Sequence, residues 1–349
     1  MDSPRLKEIG WKPCFERQLS TDESNEMLVV RVAAHFGSTI LCMAANEEFS
    51  LPTGLISPCG DIAVGDWLLL EPTTLRGIRR LERESLVTRK AAGEKVQSQL
   101  IAANVDTLFI VSSCNHDFNL SRLERYLALA AEAEVFPVVV LTKADLCANP
   151  DSLRQEAMRS KSGISVLTLD ARDTAQIRLL EDWCGVGQTV ALVGSSGVGK
   201  STLANSLGAE NLATQPIRED DSKGRHTTTA RSIHRLDAGG LLIDTPGMRE
   251  LQLADCEVGV AEVFDEIMTL SDSCRFRDCT HQGEPDCAVL AAIELGELDS
   301  RRLKNYFKLL AEQERNAQSL HERHQESRRQ GQFYKSVIAS KRRRRGEDG

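Results

Sequence analysis

The sequence predicts a multidomain α/β protein, and three observations carry that reading. Up to about Gln97, short apolar runs separated by glycines read as all-β; from about Leu100, strand-like and helix-like runs alternate. After Val258 the strand pattern stops, and charged helical segments surround a cluster of cysteines and a histidine. For 349 residues, at roughly 150 per domain, two to three domains are expected. The divisions expected from these shifts are residues 1–97, 98–258 and 259–349.

In the first division, Met27–Val32, Thr39–Cys42 and Asp66–Leu70 are strand-like runs, with Gly37, Gly54, Gly60 and Gly65 as turns. A small Greek-key barrel fits, a fold that often binds nucleic acid. Composition alone leaves open another small β-sandwich. The exit, Arg76 to Lys95, carries seven basic and three acidic residues.

In the second division, Val105–Ser112, Phe136–Leu141, Ile164–Leu169 and Thr189–Val193 read as buried strands. Ser121-Arg122-Leu123-Glu124 predicts an amphipathic helix opened by a capping box, with Ser121 at the N-cap. Strand–helix alternation of this kind builds a parallel sheet covered by helices on both faces.

Apolar residues make up 41% of the chain, enough for ordinary cores, and no run reaches the 18 or so needed to span a bilayer. Met1-Asp2-Ser3-Pro4-Arg5 lacks a hydrophobic signal core, so a cytoplasmic protein is expected, with no membrane partner. The net charge of −8 hides an asymmetry: residues 300–349 hold fourteen basic and six acidic side chains, ending in Lys341-Arg342-Arg343-Arg344-Arg345. An acidic body with a basic arm suggests a polyanionic partner, or else a solvated helix face with a frayed tail. Seven of the ten cysteines are scattered singly and read as reduced thiols.

Gly194-Ser195-Ser196-Gly197-Val198-Gly199-Lys200-Ser201, followed by Thr202, matches G-x-x-x-x-G-K-[ST] between a strand and a helix pattern. Such a loop turns successive N–H groups, and the N-terminal partial charge of the next helix, toward phosphate oxygens. Lys200 is expected to reach the β- and γ-phosphates, and Ser201 to ligate Mg²⁺. Asp244-Thr245-Pro246-Gly247 closes an apolar strand over Gly240–Ile243; Asp244 is expected in the Mg²⁺ shell and the Gly247 amide at the γ-phosphate. Between them, Gly224-Arg225-His226-Thr227-Thr228-Thr229 reads as a switch segment. One of Thr227–Thr229, with Thr228 the representative, is the candidate second ligand to Mg²⁺.

Thr142-Lys143-Ala144-Asp145 resembles the base-reading N/T-K-x-D motif of GTPases. The Asp145 carboxylate would accept from the guanine N1–H and N2–H₂ edge, which adenine lacks, while the Lys143 stem packs along the base. This motif precedes the phosphate loop by about fifty residues, whereas in most GTPases it comes last. The order is a circular permutation, and it ties the γ-phosphate-sensing segment directly to the C-terminal unit.

Cys274-x₄-Cys279-x-His281-x₅-Cys287 supplies three thiolates and one imidazole within fourteen residues. That is a complete tetrahedral set for Zn²⁺ with no position open for water, hence one structural ion per chain. Buried reduced thiols or a redox pair are the alternatives, and mixed ligands argue against iron–sulfur.

Taken together these motifs resemble the ribosome small-subunit-dependent GTPase A family (RsgA, also called YjeQ or YloQ). The resemblance covers essentially the full chain: Asn104-Val105-Asp106, Thr142–Asp145, Gly194–Ser201, Gly224–Thr229, Asp244–Leu251 and Cys274–Cys287. It implies an OB-fold barrel, a circularly permuted P-loop GTPase domain and a zinc-binding helical domain. It also implies GTP and GDP as ligands, Mg²⁺ with GTP, and the small ribosomal subunit and its rRNA as partners. The implied role is late maturation of that subunit, with hydrolysis stimulated by it, and a monomeric state is expected. The chain departs from the family in two places. Thr142 stands for the usual Asn, as it does in the Rho family, and Asp170-Ala171 replaces the short Ser-Ala motif that touches guanine O6. Met248 occupies the place where Ras-like enzymes keep a water-orienting Gln, which predicts slow intrinsic hydrolysis. His226, beside the switch threonines, is therefore the candidate catalytic group on the subunit. An RNA-binding protein switched by nucleotide, with incidental hydrolysis, is the rival from another class; a metabolic P-loop kinase lacks any visible acceptor motif.

Overall fold

The computed structural model describes residues 4–90, 98–209, 231–244 and 256–315. His226, Thr227–Thr229, the Thr245-Pro246-Gly247-Met248 step and the basic tail Lys341–Arg345 lie outside the described residues.

Three short helices, α1 (Pro4–Glu8), α2 (Pro13–Glu16) and α3 (Thr21–Glu26), precede the first strand and correct the all-β expectation for this region. They are too short for periodicity to reveal, but their signals are local. Pro13 occupies the first turn of α2, and Ser20 and Glu23 cap α3 reciprocally. Residues of and beside α2 fill the space behind the following sheet: Trp11 packs edge-on against Trp67, with centroids 4.9 Å apart.

Strands β1 (Leu28–His35), β2 (Thr39–Met43), β3 (Glu48–Pro52), β4 (Trp67–Leu70) and β5 (Gly77–Arg80) are antiparallel in the order β3-β2-β1-β4-β5. Alternate residues of β1 serve two cores: Val30 and Val32 join Ile40, Leu68 and Leu70, while Val29 and Ala33 join Trp67 and Leu69 in the larger cluster. That is why β1 is apolar almost throughout. A separate hairpin, β6 (Leu86–Lys90) and β7 (Ser98–Ala103), leads into the central unit.

The central unit contains β8 (Thr107–Ser113), α4 (Leu120–Glu132), β9 (Phe136–Thr142), α5 (Pro150–Met158), β10 (Ser165–Thr168) and α6 (Thr174–Ile177). It continues with β11 (Thr189–Val193), α7 (Lys200–Ser206), β12 (Arg231–Arg235) and β13 (Leu241–Asp244). The sheet order is β10-β9-β8-β11-β13-β12, with β12 antiparallel to β13 and the other neighbours parallel. Beyond β12 the sheet runs on into β1 through Ala34↔Ser232 and His35↔Arg231.

The expected capping box at Ser121 is not formed. Asn119 caps α4, its side-chain oxygen accepting from the Arg122 amide at 3.0 Å, so Ser121 lies inside the helix. Glu124 is fully buried and joins the central unit to the C-terminal one, which holds α8 (Glu257–Val263), α9 (Asp265–Ser271), α10 (Ala288–Glu294) and a helical stretch over 300–315, α11. Its carboxylate accepts from Arg301 at 2.8 Å and Arg302 at 3.1 Å, and from Asn305. Nearby, α8 crosses α4 so closely that a Cβ on Gly259 would stand 2.0 Å from the Ala128 carbonyl oxygen.

A second buried charge ties the N-terminal strands to the central sheet. Arg31 donates to the carbonyls of Ile9 (2.7 Å), Asn104 (3.1 Å) and Gly65 (3.3 Å), and to Thr189 Oγ1 (2.9 Å). Burial lowers its pKa to about 10, with the Asp106 and Asp66 carboxylates opposing. Among the described residues, no helix is long and apolar enough to cross a membrane.

Candidate nucleotide and metal sites

Strands β8, β9, β11 and β13 run parallel, so Ser113, Thr142, Gly194 and Asp244 meet at one edge of the sheet, where α/β folds bind ligands. Gly194 leaves β11 with φ 145°, and a Cβ there would lie 2.1 Å from the Val111 carbonyl oxygen, so only glycine fits. Gly197 (φ 77°) and Gly199 (φ 98°) complete the curl, and Gly199 stands at the N-cap of α7. Val198 is buried beneath the loop, while Ser196 and Gly197 are exposed and Ser201 and Thr202 half-buried. The Lys200 ammonium folds over its own loop, donating to the carbonyls of Gly194 (2.7 Å) and Ser195 (2.5 Å).

The segment Thr142–Asp145, expected from the sequence to read the base, is clasped onto this loop. Buried Thr142 places its hydroxyl 2.5 Å from the Val198 carbonyl and 3.1 Å from that of Ser112. Lys143, in left-handed backbone geometry (φ 57°), donates from Nζ to the Gly197 carbonyl at 2.7 Å. A threonine therefore makes the cross-link to the phosphate loop. Ala144 continues the turn, its amide 3.4 Å from the Leu169 carbonyl.

Two residues that sequence reasoning did not single out stand at this site. Arg172 donates to Asp145 Oδ2 at 2.7 Å and, through Nε and Nη2, to both oxygens of Asp170 at 3.0 Å. Those hydrogen bonds hold the Asp170 carboxyl below the usual carboxylate range. The local signal was present: Arg172 completes the Asp-Ala-Arg tripeptide that replaces the usual Ser-Ala motif. Arg122, on α4, donates to Asp117 at 3.0 Å and to the Ser195 hydroxyl of the phosphate loop. Only the tertiary structure brings it there.

The second cluster is local. The ligand atoms of Cys274, Cys279, His281 and Cys287 all lie within 4.8 Å of one another and could hold a metal ion. Cys274 Sγ is 3.9 Å from Cys287 Sγ and 3.7 Å from His281 Nδ1, and that nitrogen is 3.4 Å from Cys287 Sγ. Tetrahedral Zn²⁺ with Zn–S near 2.3 Å needs edges of about 3.8 Å, so the set fits. The imidazole is oriented from behind. Ser271 Oγ donates to the Ile267 carbonyl (2.7 Å) and lies 2.9 Å from His281 Nε2, so Nε2 carries the proton and Nδ1 keeps its lone pair toward the thiols. Burial works against the Cys274 thiolate, yet the amides of Val289 and Ala288 at the start of α10, together with the neighbouring thiols, bring its pKa below the ordinary value.

A family model described as RsgA GTPase matches residues 80–254. A protein of Vibrio parahaemolyticus named small ribosomal subunit biogenesis GTPase RsgA 2 is 52% identical over 340 residues, covering 97% of this chain and 94% of its own. The small ribosomal subunit biogenesis GTPase RsgA of Mesorhizobium japonicum is 47% identical over 318 residues, covering 90% and 91%. Among solved structures, YjeQ from Thermotoga maritima superposes with a TM-score of 0.61 at 26% identity, covering 82% of this chain and 98% of that one. YloQ, described as a circularly permuted GTPase, shares the fold with a TM-score of 0.58 at 23% identity, covering 84% and 97%. From the family match and these full-length relatives, the chain belongs to the RsgA GTPase family.

Proposed function

We propose that this protein is a cytoplasmic, monomeric GTPase of small ribosomal subunit biogenesis, hydrolysing GTP to GDP and phosphate with stimulation by the subunit. The observation that supports the reading is the clasp of Thr142 and Lys143 on the Val198 and Gly197 carbonyls, which sets the segment proposed to read guanine against the phosphate loop. In the proposed roles, Asp145 reads the base edge and Lys143 packs along the base. The amides of 194–202 and Lys200 cradle the phosphates, and Gly247 meets the γ-phosphate. Ser201, Asp244 and one of Thr227–Thr229 would hold Mg²⁺, which would neutralise charge developing toward the β-phosphate. Lys200, released from its loop carbonyls by the phosphates, would add a second positive charge there. The Met248 thioether is only a weak acceptor and would not orient the attacking water, a task that falls in this proposal to His226, ordered on the subunit.

Three units are proposed: an OB-fold RNA-binding barrel over 1–97, a circularly permuted GTPase core over 98–258, and a zinc-binding helical unit with a basic tail over 259–349. The first boundary falls in the segment joining β6 and β7. The thiolate–imidazole edge lengths support Zn²⁺ as a structural ion for the third unit. The test is GTP turnover of the full chain with and without purified small subunits. Strong stimulation is the expected result. GTP binding without stimulated turnover would favour a nucleotide-switched RNA-binding protein.

A further inference from the structure

Arg122 meets the phosphate loop, yet none of the roles above uses it. It stands in the first turn of α4, half-buried, and Nη1 alone makes its contacts among the described residues. That one nitrogen donates to the Ser195 hydroxyl and to the two oxygens of Asp117, at 3.0 and 3.1 Å. Among the described residues, Nε and Nη2 donate to nothing. Other arginine–carboxylate pairs in the molecule are closed differently. Arg83 grips Asp66 through Nε and Nη2, and Arg125 grips Glu312 through Nη1 and Nη2. Two parallel bonds of that kind use up a guanidinium fork, whereas one nitrogen shared among three acceptors leaves most of the fork open.

The place of Ser195 in the loop says which part of a nucleotide the open fork would face. Its carbonyl accepts from the Lys200 ammonium at 2.5 Å, so two cations from separate elements converge on one residue. Thr142 and Lys143 clasp Val198 and Gly197 instead, further along the loop. The guanidinium therefore stands with Lys200, where the outer phosphates are expected, and away from the base. The sheet edge fixes the carboxylate that orients it. Asn115, just past β8, accepts on Oδ1 from the Ser113 hydroxyl (2.8 Å) and from the Asp117 amide (2.9 Å). A neutral hydroxyl is a weaker acceptor for a guanidinium than a phosphate oxygen, so a third phosphate would draw Arg122 off Ser195 while Asp117 keeps hold of Nη1.

We propose that Arg122 reads the γ-phosphate: with GTP in the loop its free N–H groups donate to that phosphate, and with GDP it stays on Ser195. The proposal rests on the phosphate-loop reading of 194–201. It makes Arg122 a specificity-determining residue for GTP over GDP, a positive charge supplied in cis from α4 in addition to Lys200.

The test titrates the full chain, in saturating Mg²⁺, with GDP and with a non-hydrolysable GTP analogue, for wild type, Arg122→Gln, Arg122→Met and Arg122→Lys. The Gln and Met variants should bind the analogue about tenfold more weakly, the low end for a hydrogen bond to a charged group, and GDP within about twofold of wild type. Arg122→Lys, which keeps the charge but not the fork, should recover part of the loss. In phosphorus NMR of the bound analogue, the γ resonance should move in Arg122→Gln while the α resonance stays. Equal weakening of both nucleotides would make Arg122 a clasp on the loop and overturn the inference, as would wild-type affinity for both or an unmoved γ resonance. GDP binding reports that each variant is folded, and two uncharged variants keep the test open should one of them fail to fold. A wild-type chain that bound neither nucleotide would overturn the phosphate-loop reading itself, a result distinct from all of these.

Discussion

The nucleotide site and the Cys/His cluster are built in opposite ways. The first is assembled at the ends of strands spread from Ser113 to Asp244, and its cross-links span the fold: Thr142 to Val198 bridges 56 positions and Arg122 to Ser195 bridges 73. The second is gathered within fourteen residues between α9 and α10. The parallel sheet, with Val138, Val139, Val140 and Leu141 of β9 fully buried, holds the first site whether or not a ligand is present. In the second, four side chains that could hold a metal ion are brought together by one loop, beside helices whose apolar residues such as Ile267 and Val289 join the large core.

The sharpest way to break this contrast is to remove the metal. Cys279→Ala, or a strong chelator, is expected to release one Zn²⁺ per chain and to melt the helices around the cluster, while GDP affinity of the core stays within about twofold. Metal analysis, circular dichroism and GDP titration on one preparation check it; a wild-type protein free of zinc would refute the assignment.

Next in size is the seam between the two regions. Glu124→Ala leaves Arg301 and Arg302 without their buried carboxylate, a loss of about 3–5 kcal/mol from the docking of the C-terminal unit. Chemical denaturation should then show two transitions where a single one is expected of wild type. A single transition with an unchanged midpoint would contradict the seam's role.

On the nucleotide side, Asp145→Asn turns the proposed acceptor of two guanine donors into a group that presents a donor to one of them. GTP affinity should fall about 100-fold, as expected for losing charged hydrogen bonds, and xanthosine triphosphate should gain. Thermal melting should hardly move, which is the point of contrast with the cysteine variant. Unchanged GTP affinity would remove Asp145 from the base site.

Gly259→Ala should cost about 1–3 kcal/mol, because α8 has no room for a methyl group against the Ala128 carbonyl. A melting midpoint equal to wild type would mean that the helix crossing relaxes freely.

The smallest effect concerns Arg172, which occupies the Asp145 carboxylate when no base is bound. Breaking an exposed ion pair of this kind is worth little, so Arg172→Ala should tighten GDP binding by only about two- to fivefold. Weaker binding in that variant would give Arg172 a direct contact with the base instead.

What was legible in the amino-acid sequence was whatever is written within one turn or one strand. Glycine spacing in 194–201 and the fourteen-residue run of thiols and imidazole carry their chemistry locally, and β11 was read at its observed bounds because apolar runs between turn residues need no partner to be recognised. The permuted order was equally plain, since Thr142–Asp145 simply precedes Gly194. Tertiary structure alone decided the rest. Ser121 looked like a cap, but Asn119 lies nearer the chain's entry to the helix; Glu124 looked like the other half of a capping box, but its partners lie 177 to 181 positions away. Arg31 finds Thr189 across 158 positions. A buried charge is tolerated only where its hydrogen-bonding partners converge, and that convergence is a property of the packed chain that no local pattern of residues can express.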